Sequence, residues 1–328
     1  MMYCSTMEIY NLLYIPGSND EGLIVNMILA AGEWINRHIG NFIPITETRY
    51  YDGHGGCNLW VDPLIAPTSI SNNGTILDTS EYVLYPRQRH WRNGPYTRIQ
   101  LDNSSWTDEF NKIEISGKWG LYDETSPTLA TLANQSDTSE VLVVDRASQI
   151  APGMVIKVDD EMELITATSD ASDSGNDLNG SISTTEEAIP LLNPGGLYDD
   201  EIIRIDFEQM RVWAILGNLC YVQRGWNGTA RSTHNTGSDI YVYRSFKVKR
   251  GFNGTAPASH NNVTIYRCVA PYDVYYLCVQ IATLMLKKGQ SGFGSKSGGG
   301  ELGEVFYYDE FPKQALNRIM RNYRIFFI

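Results

Sequence analysis

The sequence predicts an α+β chain, with helices at both ends, strands between them and one small β module present twice. Three observations carry that prediction. Apolar residues recur at helical spacing near the N-terminus (Ile24, Ile28, Ala31, Ile35, Ile39) and near the C-terminus (Val274, Leu277, Cys278, Ile281, Leu284, Met285). Short alternating runs separated by Gly- and Asn-containing turns fill much of the interval. One stretch is written twice. Arg224-Gly225-Trp226-Asn227-Gly228-Thr229, running on to His234-Asn235, returns as Arg250-Gly251-Phe252-Asn253-Gly254-Thr255, running on to His260-Asn261. A second pair lies upstream: Ile156-Lys157-Val158-Asp159 with Glu161 resembles Ile203-Arg204-Ile205-Asp206 with Glu208.

A chain of 328 residues fills two or three modest domains, and 42% hydrophobic with 20% charged residues is the balance of a folded protein. The formal net charge of −12 argues against a nucleic-acid coat and against an anionic membrane surface. It is compatible with an acidic wall past which DNA slides. The longest mainly apolar run, Val274 to Leu286, is too short to span a bilayer and contains Gln280. No basic-then-apolar start marks a secretory signal. The five cysteines (Cys4, Cys57, Cys220, Cys268, Cys278) are odd in number and never spaced C-x-x-C, so reduced thiols in a cytoplasmic setting are expected.

Residues 1–17 are ambiguous, readable as a short helix stopped by Pro16-Gly17. Ser18 followed by Glu21 is a capping-box signature, and a helix is expected over about 20–39, ended by Gly40. Gly22 and Gly32 each weaken it by roughly 1 kcal/mol relative to alanine, so packing must hold it. Strands are expected at Glu47–Tyr51, Asn58–Asp62, Tyr82–Tyr85, Thr97–Leu101 and Lys112–Ile115, with Asn73-Gly74 as a hairpin turn. Thr125 to Thr138 reads as a linker, and Ser169 to Ser183 as an exposed loop. The order of the repeated halves implies nesting: a first module (about 139–268) interrupted by a whole second one (about 186–245). The predicted division is 1–44 helical, 45–124 β, 125–268 duplicated β insertion and 269–328 helical. A last helix is expected over about Asp309–Arg324, with Leu316, Ile319, Met320 and Tyr323 inward and Arg318, Arg321 and Arg324 on its other side.

The Arg-Gly-x-Asn-Gly-Thr loops invite a phosphate-binding reading, but the P-loop lysine and crossover helix are missing. Gly225, Asn227 and Gly228, and Gly251, Asn253 and Gly254, read instead as turn residues needing positive φ. His234 and His260 are expected to satisfy their own loops, since a metal site would need ligands from both modules. Asp159-Asp160-Glu161 and Asp199-Asp200-Glu201 lack the ligand spacing of a calcium loop and read as solvated hairpin edges. No hydrolase or metalloprotease motif is present, so no enzyme and no cofactor is expected. The arginine stripe and the apolar tail Ile325-Phe326-Phe327-Ile328 suggest docking on a partner.

The flanks resemble the head–tail connector (adaptor) proteins of tailed bacteriophages. The resemblance rests on Ala30-Ala31-Gly32-Glu33-Trp34-Ile35 leading to Ile39-Gly40-Asn41-Phe42, on Thr48-Arg49-Tyr50-Tyr51-Asp52-Gly53 and on Leu59-Trp60-Val61-Asp62-Pro63-Leu64. Glu81-Tyr82-Val83-Leu84-Tyr85-Pro86, Ile113 to Gly120 and the last helix add to it. It covers roughly 20–122 and 270–328, and the β modules look like those of other phage structural proteins. It implies a helical core from both chain ends, a ring of about twelve copies beneath the portal and an extended DNA channel. DNA would pass through without specific binding. The implied partners are the portal protein, neck or tail proteins and other copies of the chain, in a virion assembled in the host cytoplasm. Arg318, Arg321, Arg324 and Ile325 to Ile328 would dock on the portal. Connectors of this type are commonly shorter, so the large insertion is a departure. The alternative is a carbohydrate- or host-surface-binding virion protein, with Trp226 and Phe252 as exposed platforms.

Overall fold

The computed structural model describes residues 2–88, 94–291 and 313–323. The chain opens with α1 (Thr6–Leu13), capped by a full capping box in which Ser5 and Glu8 bond each other's backbone. Helix α2 (Glu21–His38) follows, near the expected bounds. Its expected capping box does not form. Glu21 instead reaches the backbone N–H and hydroxyl of Thr168, both at 2.8 Å, so a long-range contact takes the side chain that local pairing would have used.

The next six strands make one antiparallel sheet: β1 (Ile45–Tyr51), β2 (Asn58–Asn72), β3 (Thr75–Ile76), β4 (Tyr82–Tyr85), β5 (Tyr96–Leu101) and β6 (Ile113–Trp119). They are ordered β1-β6-β2-β5-β4, with β3 folded back on β2 through the Asn73-Gly74 turn. Alternation along β6 buries Ile113, Ile115 and Trp119 in a core of their own.

Two further sheets follow. The first comprises β7 (Glu124–Gln135), β8 (Val141–Val143), β9 (Val155–Val158) and β10 (Glu161–Thr168), and is completed much later. Between come β11 (Ser172–Asp177), β12 (Ala188–Pro190), β13 (Ile202–Ile205), β14 (Glu208–Leu216), β15 (Leu219–Arg224) and β16 (Asp239–Val242). Only then do β17 (Ser245–Lys249) and β18 (His260–Val269) return to the first sheet. The orders are β7-β18-β9-β10-β17-β8 and β11-β16-β13-β14-β15-β12, the same arrangement of first to sixth strand in each. Antiparallel bridges Leu132↔Val144 and Leu178↔Leu191 join first strand to second, so each sheet closes into a small barrel. Both carry a bulge at the matching place, at Thr166 in β10 and at Trp213 in β14. The second barrel leaves and rejoins the first at neighbouring points, where Ser169 N–H donates to Ser245 O at 2.8 Å.

Helix α3 (Tyr272–Ser291) and α4 (Lys313–Tyr323) complete the chain. Helices from both ends share one apolar cluster, in which Ile28, Ile35, Val274, Ile281 and Ile319 are buried.

The expectation of an α+β fold with a helical core is overturned. The protein is mostly β, built on three six-stranded antiparallel sheets, with four helices among the described residues. The expected linker 125–138 largely forms β7, where Thr128, Ala130 and Leu132 alternate inward. Small and hydroxylic side chains do that without producing an obvious apolar rhythm. The expected loop 169–183 contains β11. The second barrel's strands accordingly begin at Ser172, not near 186, and the first barrel's at Glu124, not near 139.

Candidate functional site

The repeated motif is a single construction made from its two halves. In the second barrel, β13 and β14 meet at a two-residue turn whose first member, Asp206, has φ of 51°, a conformation short polar side chains tolerate. Glu208 opens β14 with its side chain fully buried. Arg224 ends β15 and reaches across to it. Its Nε and Nη2 donate to the two Glu208 oxygens, each at 2.7 Å. Gly225 N–H and Ser232 N–H add bonds to the same carboxylate at 3.1 and 2.9 Å. His234 Nε2 lies 3.0 Å from Glu208, and its Nδ1 lies 2.7 Å from Asp206. The remaining Arg224 protons bond the carbonyls of Ser183, Glu186 and Ser232.

The first barrel repeats this atom for atom. Arg250 grips Glu161 at 2.8 and 2.6 Å, and Gly251 and Ala258 N–H donate at 2.8 and 2.9 Å. His260 bridges Asp159 and Glu161 at 2.8 and 3.0 Å. Arg250 bonds the carbonyls of Ser136, Ser139 and Ala258. Burial alone would raise the Glu161 and Glu208 carboxyls. Arginine, backbone N–H and histidine bonds outweigh it and bring both down to about 2.

The six turn residues lie where positive φ was expected: Gly225 at 67°, Asn227 at 53°, Gly228 at 73°, Gly251 at 59°, Asn253 at 54° and Gly254 at 78°. The two turns are also joints. Asn227 N–H donates to Pro16 O at 2.8 Å, and its side-chain oxygen accepts from Ser18 N–H at 3.0 Å. Asn253 Nδ2 donates to Pro44 O at 3.0 Å, and a Cβ on Gly254 would stand 2.1 Å from Thr46 O. Each barrel therefore offers the same loop to a different neighbour, one to the α1–α2 connection and the other to the start of β1.

Helix α1 is wedged between the barrels. Thr6 N–H donates to Pro152 O at 2.9 Å and Glu8 pairs with Arg267 at 2.8 Å, on the first-barrel side. Asn11 accepts from Arg211 at 2.7 Å, and Tyr10 stands edge-on to Trp226 at 5.8 Å, on the second. A cavity of about 330 Å³ at this junction is lined by Tyr10, Glu21, Asp200, Gln209, Trp226 and Phe246.

Two expectations about acidic segments are corrected. Glu161 and Glu201 are buried rather than solvated, whereas Asp159, Asp160, Asp199 and Asp200 face water as expected. Glu201 is bidentate to Arg244 at 2.7 Å and accepts from Ala147 N–H at 2.9 Å, which fixes one barrel to the other. Asp-x-Glu, Arg-Gly and the following His are separated in sequence by up to 101 residues, and their joint use was visible only as a shared recurrence.

Trp226 is 1% exposed and packs with the helices, and Phe252 is half-buried against the same cluster. Of the expected docking residues, Arg318 and Arg321 are exposed on α4, while Arg324 and Ile325 to Ile328 lie outside the described residues. All five cysteines are free, four of them buried. No helix among the described residues is long and apolar enough to cross a membrane.

No family model, no curated protein and no solved structure matches this chain. Its class is defined by its own geometry: a β protein of two identical-topology barrels, one inserted in the other, braced by helices from both chain ends.

Proposed function

We propose that the chain is a structural virion protein of a tailed phage, forming a ring that joins the portal vertex to the neck and tail and extends the DNA channel. One observation carries this reading over a catalytic or ligand-binding one. The charged groups of the repeated motif are consumed inside each barrel, and the motif's loops serve as joints, so the repeat is architecture. Each Glu–Arg pair saturates its hydrogen bonds on groups of its own barrel.

The net charge of −12 suits a channel that DNA traverses without specific binding. Portal docking falls to Arg318 and Arg321, exposed on α4, together with Arg324 and Ile325 to Ile328. Other copies in a ring of about twelve, as the resemblance implies, and neck or tail proteins are the remaining partners. Assembly would take place in the host cytoplasm, with the virion neck as the final location. The carbohydrate-binding alternative loses its first platform, because Trp226 is enclosed by Tyr10 and the helices.

The test is the particle mass of the purified protein, alone and mixed with purified portal. A ring, or a monomer that assembles on portal, is expected. A monomer indifferent to portal overturns the reading. Removing residues 325–328 is expected to abolish portal binding with an unchanged circular dichroism spectrum, and unchanged binding overturns the docking assignment.

A further inference from the structure

The five cysteines are unequal. Cys57 is exposed, and Cys220 is the one thiol in the core of the second barrel. Cys4 and Cys278 are both buried, and their Sγ atoms lie 3.5 Å apart, one thiol donating to the other. Among the described residues no other thiol bonds a thiol. Cys4 immediately precedes Ser5, the N-cap of α1, and Cys278 lies in the second turn of α3. The contact therefore joins the wedge between the barrels to the helix from the other end of the chain.

We propose that Cys4 and Cys278 are a disulfide site, reduced while the chain is made and closed by a peroxide-class oxidant in an oxidising environment, so that α1 is fastened to α3. A disulfide is about 2.05 Å long, so the sulfurs must approach by roughly 1.5 Å. Cys4 stands outside the helix, ahead of its cap, where side-chain rotation and a small backbone shift supply that movement.

A cavity of about 300 Å³ gives a small oxidant its approach. Ser5, Glu8 and Arg267 line it, the last two ion-paired at 2.8 Å, and Ser5 adjoins Cys4 in the chain. The Cys278 hydrogen bond and burial push the Cys4 thiol well up, while Arg267 pulls it the other way. Because the thiolate is the nucleophile, the pair resists oxidation in a reducing cytoplasm.

The chemistry balances with hydrogen peroxide. Cys4 Sγ attacks one peroxide oxygen, the O–O bond breaks, and water leaves a sulfenic acid on Cys4. Cys278 Sγ then attacks that sulfur, the S–O bond breaks, and a second water carries off the remaining thiol proton. Two thiols and one peroxide become one disulfide and two waters. The change of compartment rests on the virion reading above; the bond itself does not.

The experiment treats reduced full-length protein with a few equivalents of hydrogen peroxide. Intact mass is expected to fall by two hydrogens. A non-reducing digest is expected to yield one cross-linked peptide pair holding Cys4 and Cys278. Tm is expected to rise and to return on adding dithiothreitol. Cys4→Ala and Cys278→Ala are each expected to fold and to lose both the cross-link and the rise. If either variant is unstable, the peptide map of the native chain decides alone. Five free thiols after treatment, added oxygen in place of lost hydrogens, or a link through Cys57 overturns the proposal. A cross-linked chain that forms no ring overturns the virion reading and leaves the disulfide site standing.

Discussion

Arg224 and Glu208 face each other through two parallel hydrogen bonds, both 2.7 Å, in a place where neither side chain touches solvent. Such a fork is the strongest geometry a guanidinium offers a carboxylate. Its function here is mechanical. The strand end, the Arg-Gly loop and the following His are all tied to one acidic residue on a neighbouring strand. Removing one partner of a fully buried pair strands the other. Arg224→Met is therefore expected to destabilise the second barrel by about 3–5 kcal/mol. Hydrogen exchange checks it: faster exchange across 172–242 with β9, β10, β17 and β18 still protected is the expected pattern, and uniform loss contradicts it.

Acid sensitivity follows from the same carboxylates. Glu161 and Glu208 are held down to about 2, against about 4.3 for an unfolded glutamate. A depressed folded value means that the stabilisation is full above about pH 4.3 and is lost as pH falls toward 2, by roughly 2–3 kcal/mol for each group. Urea midpoints at pH 7, 4, 3 and 2.5 should be flat to pH 5 and then drop steeply. Glu208→Gln should start lower and fall less. Equal slopes for the variant and the native chain would remove this carboxylate from the account.

The nested topology makes its own prediction. Ser169 N–H and Ser245 O are 2.8 Å apart, the spacing of an ordinary strand pair. Replacing residues 170–243 by Asn-Gly should therefore close β10 to β17 as a simple hairpin. The shortened chain is expected to fold with the first barrel and the helices intact. Its Tm should be lower, because Tyr10 loses Trp226 and Ala147 loses Glu201. An unfolded product by circular dichroism and size exclusion would show that the first barrel depends on the second.

Neighbouring residues hold part of this structure, and distant contacts add the rest. Helix α2, β4 and the Asn73-Gly74 turn were legible because period and turn chemistry are written in neighbouring residues. The six turn positions with positive φ were legible for the same reason. Helix α1 is the short helix that residues 1–17 suggest ahead of Pro16-Gly17, but its place as the wedge between the barrels is written nowhere in those residues. The β7 strand reads as a linker in sequence because its inward residues, Thr128, Ala130 and Leu132, are too small and mixed to declare a period.

By itself the sequence determined that a module occurs twice, that its halves come in a nested order, and where its tight turns lie. All of these are patterns along the chain. Only the tertiary structure decided that the fold is mostly β, that the repeat closes into barrels, and that Asp159, Glu161, Arg250 and His260 meet at one point. The physical reason is range. A turn is fixed by the φ preferences of two residues, whereas a buried carboxylate is stable only if donors about 90 to 100 residues away arrive to replace water. No local pattern announces which distant arginine will do so.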